Sequence, residues 1–81
     1  MVISVQFHGV HRAITRVNRI DLSLSSDARV KDLISRIKAA YPDLHLSPGD
    51  FMVSINDRIS TLEHPLGAND TVAFLPHIGG G

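Results

Sequence analysis

The sequence predicts an α+β fold: a roll of four or five strands in a mixed sheet, with one main helix against one face. Three observations predict it. Short runs near both ends alternate apolar and polar residues, as half-buried strands do. One central stretch carries apolar residues at helical spacing. Clusters of Pro, Gly, Asn and Asp separate these runs and mark turns. A chain of 81 residues makes a single small domain, which hides only about 60–65% of its unfolded surface.

Val2 to His8 alternates, with Ile3, Val5 and Phe7 on one face and Ser4, Gln6 and His8 on the other. Gly9 breaks this first strand. Residues 9–16 read as an irregular connection with two apolar anchors, Val10 and Ile14. Val17 to Leu24 alternates again through Ile20, Leu22 and Leu24, giving a second strand that pairs with the first as a hairpin. Ser25-Ser26-Asp27 supplies a helix start, because short polar side chains accept hydrogen bonds from the first helical N–H groups. Val30, Leu33, Ile34, Ile37 and Tyr41 then form one apolar stripe, and Pro42 ends the helix. Residues 42–50 are a loop by composition. Phe51 to Asn56 is a third strand, with Val53 and Ile55 facing away from Met52 and Ser54. Asn56-Asp57 turns the chain into a short return strand, Arg58 to Leu62. Residues 65–70 make another turn, and Thr71 to Pro76 is the last strand.

One helix over such a sheet lets the first and last strands pair in parallel at the centre, the β-grasp (ubiquitin-like) arrangement. The expected division is a β-grasp domain over residues 1–76 and a flexible tail over 77–81. The tail ends in Gly79-Gly80-Gly81. Glycine loses the most backbone entropy on ordering and adds no side chain to a core. Three of them at a free end are expected to make a thin arm carrying a bare carboxylate.

Composition excludes several classes. With no cysteine there is no disulfide framework, thiolate metal site or cysteine nucleophile, which fits a cytoplasmic protein. No apolar run approaches the roughly 20 residues needed to span a bilayer, and the N-terminus lacks a signal-peptide pattern. A net charge of zero argues against nucleic acid as the main partner. The charge is uneven all the same. Residues 1–40 hold seven Lys/Arg against three Asp, and residues 41–81 one Arg against five acids. Of the five histidines, His8 and His11 share a metal-like spacing, but no Asp, Glu or Cys joins them at ligand spacing, so no metal site is expected. Ser25-Ser26 caps a helix and no GxSxG elbow is present, which leaves no hydrolase nucleophile.

With the elements placed, the chain resembles the MoaD/ThiS family of ubiquitin-like sulfur carriers, and most closely its MoaD branch. Three stretches carry the resemblance. The end, Asp70-Thr71-Val72-Ala73-Phe74-Leu75-Pro76-His77-Ile78-Gly79-Gly80-Gly81, is similar to the family's GDEVAFxPPxxGG. His64-Pro65-Leu66 is similar to its hPL turn. Phe7-His8-Gly9-Val10-His11-Arg12 is similar to the FFxxxR entry to its first loop. Asn69 stands where the family has glycine, and His77 where it has a second proline.

The resemblance implies a co-substrate rather than an enzyme. An E1-like enzyme (MoeB/ThiF-like) would use ATP to adenylate the Gly81 carboxylate, and sulfur would replace the adenylate to leave a thiocarboxylate. Gly80 and Gly79 would form the slim neck. Ile78, His77, Pro76, Leu75 and His8 would make tail and partner contacts, with Met52 added on the uncovered sheet face. No cofactor would be bound permanently. The sulfur acceptor would be a MoaE-like molybdopterin synthase subunit, with a ThiG-like thiazole synthase second. Two other readings stay open on the residues alone: a ubiquitin-like modifier joined to lysines, and a non-catalytic β-grasp interaction module.

Overall fold

The two runs at opposite ends of the sequence lie side by side in the computed structural model, which describes residues 1–46 and 49–76. Strand β1 (Val2–Phe7) pairs in parallel with β5 (Thr71–Pro76), in the register Val5↔Val72 and Phe7↔Phe74. β2 (Arg19–Ser23) runs antiparallel to β1 on its outer side. β3 (Phe51–Ile55) runs antiparallel to β5, and β4 (Arg58–Ser60) closes the far edge. The order β2-β1-β5-β3-β4 makes β5 the central strand of five.

Helix α2 (Val30–Ala40) buries Val30, Leu33, Ile34 and Ile37. They enter one core with Ile3, Val5, Phe7, Val53, Val72 and Phe74. Burying each such side chain contributes about 1.5–3 kcal/mol relative to exposing it. The helix begins three residues after the expected Ser25–Asp27 signal. Ser25 and Asp27 instead bond one another, Oγ to Oδ1 at 2.8 Å. The first helical N–H groups find other acceptors. Val30 and Lys31 donate to the carbonyls of His64 and Leu62, and the Asp32 carboxylate accepts from the Arg29 N–H at 2.8 Å. The segment before β5 is thereby tied to the start of the helix.

Residues 9–16, expected to be irregular, contain a second helix, α1 (Gly9–Thr15). Its expected anchors face outward: Val10 is 57% exposed and Ile14 37%. The buried positions are His11 and Thr15. Thr15 Oγ1 donates to the Val17 carbonyl at 3.2 Å, and His11 lies against Phe74. β2 starts at Arg19 rather than Val17, since the chain is still leaving α1. β4 stops at Ser60 rather than Leu62. The tail expected at residues 77–81 lies outside the described residues.

Arg16 closes α1 in the left-handed region at φ 64°, its N–H donating to the Arg12 carbonyl. A Cβ is disfavoured there, and glycine is the usual solution. Arg16→Gly is expected to raise stability by about 0.5–1 kcal/mol, read as an upward shift of the urea midpoint at constant slope. Asn56 and Asp57 (φ 50° and 71°) fill the two-residue turn between β3 and β4, where positive φ matches strand twist.

Candidate functional site

β5 is fixed at both ends by different chemistry. At its start, Asp70 accepts from the Gly67 N–H at 2.7 Å and from Asn56 Nδ2 at 2.9 Å. Asn56 Oδ1 accepts from the Thr71 N–H at 3.0 Å. Asn69, at φ 68°, makes the turn that delivers Asp70 to this knot. Asparagine tolerates that conformation better than most residues, which explains how it can stand in the glycine position.

At the other end the fixing is aromatic. Phe74 is fully buried. Its ring stacks on Phe7 at 6.1 Å between centroids and takes Phe51 edge-on at 5.8 Å. His11 meets it edge-on from α1 at 6.5 Å. Tyr41, at the end of α2, meets the edge of Phe7 at 5.8 Å. Such pairs add about 0.5–1.5 kcal/mol each beyond simple burial.

The opposite face of β5 carries Thr71, Ala73 and Leu75. Leu75 stands across from Met52, and Ala73 across from Ser54, whose other neighbour is Ile59. Ile59 is 64% exposed and Leu62 40%. Together with Met52 and Phe51 they line a shallow apolar groove along the β3–β4 edge. Helix α2 packs on the other side of the sheet, in the core. This face of the described residues is therefore free to receive a partner. Contiguous apolar surface of this kind marks interaction sites.

Leu75 is half-buried on that face and opposes Met52. Pro76 ends the strand opposite Phe51. His8 is exposed at the junction of β1 and α1, where it precedes the first helical residue. His77, Ile78, Gly79, Gly80 and Gly81 lie outside the described residues. Ile59 and Leu62 escaped sequence reasoning. Their signal was present, because counting out from the Asn56-Asp57 turn places Ile59 on the face of Ser54. Among the described residues no group of three or more His, Cys, Asp or Glu could hold a metal ion, and no helix is long and apolar enough to cross a membrane. Part of the charge asymmetry survives folding. Arg12, Arg16 and Arg19 are exposed around α1 and the β2 edge, while Asp57 and Glu63 are exposed around the β4 edge. Lys31 meets Glu63 at 3.3 Å between them.

A mixed five-stranded sheet of this order clasps one long helix and leaves an apolar face beside the end of its central strand. That defines a ubiquitin-like β-grasp domain. The model of the ThiS family matches residues 5–81. The chain belongs to that family, among the MoaD/ThiS ubiquitin-like sulfur carriers. It is 28% identical over 75 residues to the molybdopterin synthase sulfur carrier subunit of Mycobacterium tuberculosis, covering 93% of this chain and 90% of that one. Its fold is similar to that in the complex of subunits 1 and 2 of the molybdopterin-converting factor from Helicobacter pylori (TM-score 0.69, 26% identity, 100% of both chains). It is also similar to the H. volcanii small archaeal modifier protein 1 (TM-score 0.81, 18% identity, 93% of this chain and 95% of that one).

Proposed function

We propose that this chain is the sulfur-carrying small subunit of a molybdopterin-forming system, acting through the carboxylate of Gly81. A MoeB/ThiF-like E1 enzyme supplies the ATP site. The Gly81 carboxylate oxygen attacks the α-phosphorus of ATP and pyrophosphate leaves, giving an acyl adenylate. A sulfide-level sulfur nucleophile then attacks the acyl carbon and AMP leaves, giving the thiocarboxylate. The thiocarboxylate sulfur bonds to a substrate held by a MoaE-like subunit, and water then cleaves the acyl–sulfur bond, leaving the sulfur on that substrate and restoring the carboxylate for another cycle. The chain is a co-substrate with no bound cofactor, and it works in the cytoplasm.

The observation that supports this reading best is a conjunction. The central strand ends in Phe74-Leu75-Pro76 beside the apolar face of Leu75, Met52 and Ile59, and the sequence that follows is His77-Ile78-Gly79-Gly80-Gly81. A carboxylate is a poor electrophile until it becomes a mixed anhydride, and glycine lets a narrow active site close around it. The Mycobacterium tuberculosis and Helicobacter pylori similarities favour the molybdopterin branch over a ThiG-like acceptor.

A modifier reading is favoured by one observation, the likeness to a small archaeal modifier protein. Intact-mass analysis separates the two after incubation with the host E1-like enzyme, ATP and a sulfide source. The carrier reading expects one oxygen of the chain replaced by sulfur, in a form that alkylating reagents trap. Thiol-resistant adducts on lysines, with no thiocarboxylate, would overturn it in favour of conjugation. An unchanged mass with every host E1-like enzyme would favour an inert interaction module.

A further inference from the structure

One buried polar group takes no part in the apolar face or in the proposed chemistry. His11 is 5% exposed, in a helix whose apolar residues Val10 and Ile14 face solvent. An apolar side chain would satisfy packing there more simply, since a buried imidazole must keep its ring nitrogens satisfied. Its Nδ1 lies 3.5 Å from the Phe74 carbonyl oxygen, and its ring stands edge-on to the Phe74 ring.

That carbonyl has a special place. Phe7↔Phe74 is the last pair between β1 and β5. Beyond it the chain of β1 turns at His8-Gly9 into α1, so Leu75 and Pro76 pair with β3 alone. The central strand thus loses one neighbour two residues before its end. His11 reaches it at that point. A carbonyl oxygen has two lone pairs and can accept a side-chain donor in addition to any ladder partner. To donate, the imidazole must carry its proton on Nδ1.

We propose that His11 is a positioning residue: from α1 it holds the Phe74 carbonyl at the point where β1 stops pairing, and so fixes Leu75 and Pro76 at the end of the central strand. The consequence for chemistry rests on the carrier reading. Docking through Leu75, Met52 and Ile59 does not involve His11. Its loss leaves partner affinity in place and lowers the fraction of docked chains whose carboxylate reaches the ATP site.

Two variants isolate the bond. His11→Leu keeps a buried side chain and removes the donor. His11→Asn restores a donor, its Nδ2 standing where Nδ1 stood. The first readout needs no partner. Nitrogen-15 relaxation and amide exchange are compared at Ala73, Phe74 and Leu75 in the wild type and both variants, with urea midpoints measured alongside. The expected result is loss of order at Phe74 and Leu75 in His11→Leu, recovery in His11→Asn, and β2 and α2 unchanged in both. Long-range proton–nitrogen spectra of the wild type are expected to show the Nδ1–H form. Superimposable relaxation profiles for all three proteins, or a wild-type ring protonated on Nε2 alone, would overturn the proposal. The second readout is ATP–pyrophosphate exchange with the E1-like enzyme. His11→Leu is expected to lower kcat roughly tenfold, the scale of a small misplacement of a reacting group, with KM held within about twofold and His11→Asn recovering most of the loss. An unchanged kcat would overturn the positioning role. An inactive wild type would overturn the carrier reading instead, and the relaxation comparison would still decide the role of His11.

Discussion

Removing Gly81 is expected to abolish ATP–pyrophosphate exchange with the host E1-like enzyme, a loss of at least about a hundredfold, while the urea midpoint stays unchanged. The reason is geometric. One residue of extended chain spans about 3.3–3.6 Å, and displacing a reacting group by about 1 Å already costs on the order of a hundredfold. The carboxylate of a chain ending at Gly80 falls several times that distance short. Docking is a separate matter, because Leu75, Met52 and Ile59 remain in place, so the truncated chain is expected to compete with the full one. Gly80→Val is the complementary test. It keeps the length and adds β-branched bulk at the neck, and a slim active site is expected to accept it poorly. Exchange that continues undiminished without Gly81 would remove the carboxylate from the chemistry and leave an interaction module.

Much of this was legible in the sequence because period and punctuation agree. Alternation in β1 and β5 fixes which residues face the core, and a one-residue slip would have exposed Ile3, Val5 and Phe7 together. The stripe from Val30 to Ile37 admits only a helix with one buried face. Asn56-Asp57 reads as a hairpin turn because both residues tolerate positive φ.

Residues 9–16 were illegible for an equally physical reason. The rule that apolar residues point inward assigns Val10 and Ile14 to the core, whereas the fold buries His11 and Thr15. Tertiary contacts decide here: Phe74 supplies an acceptor and a ring edge to His11, and no local signal announces either. The start of α2 was displaced for a similar reason. Its first N–H groups are satisfied by carbonyls of Leu62 and His64, distant in the chain, rather than by the nearby Ser25. The apolar face was half legible. Leu75 and Met52 follow from alternation, but Ile59 requires the register of the β3–β4 hairpin.

Phe74→Ala tests the root of the site from the opposite direction. Phe74 is fully buried, between Phe7, Phe51 and His11, on the central strand's inner face. Truncating such a ring is expected to destabilise the domain by about 3–5 kcal/mol. A domain of this length has only about 4–12 kcal/mol in total, so a large share of the molecules would be unfolded under mild denaturant. Phe74→Leu keeps most of the apolar volume and forfeits the aromatic edges, and a smaller loss is expected, of the order of 1–2 kcal/mol. Urea midpoints at constant slope measure both. A Phe74→Ala loss below about 1 kcal/mol would contradict the aromatic cluster. The two truncations separate what the domain contributes from what the tail contributes. Losing Phe74 is expected to remove activity only as far as it unfolds the sheet, so adding a stabilising change such as Arg16→Gly would recover part of it. Losing Gly81 is expected to leave a folded domain that no stabilising change rescues, because under the proposed function the missing part is the reacting group.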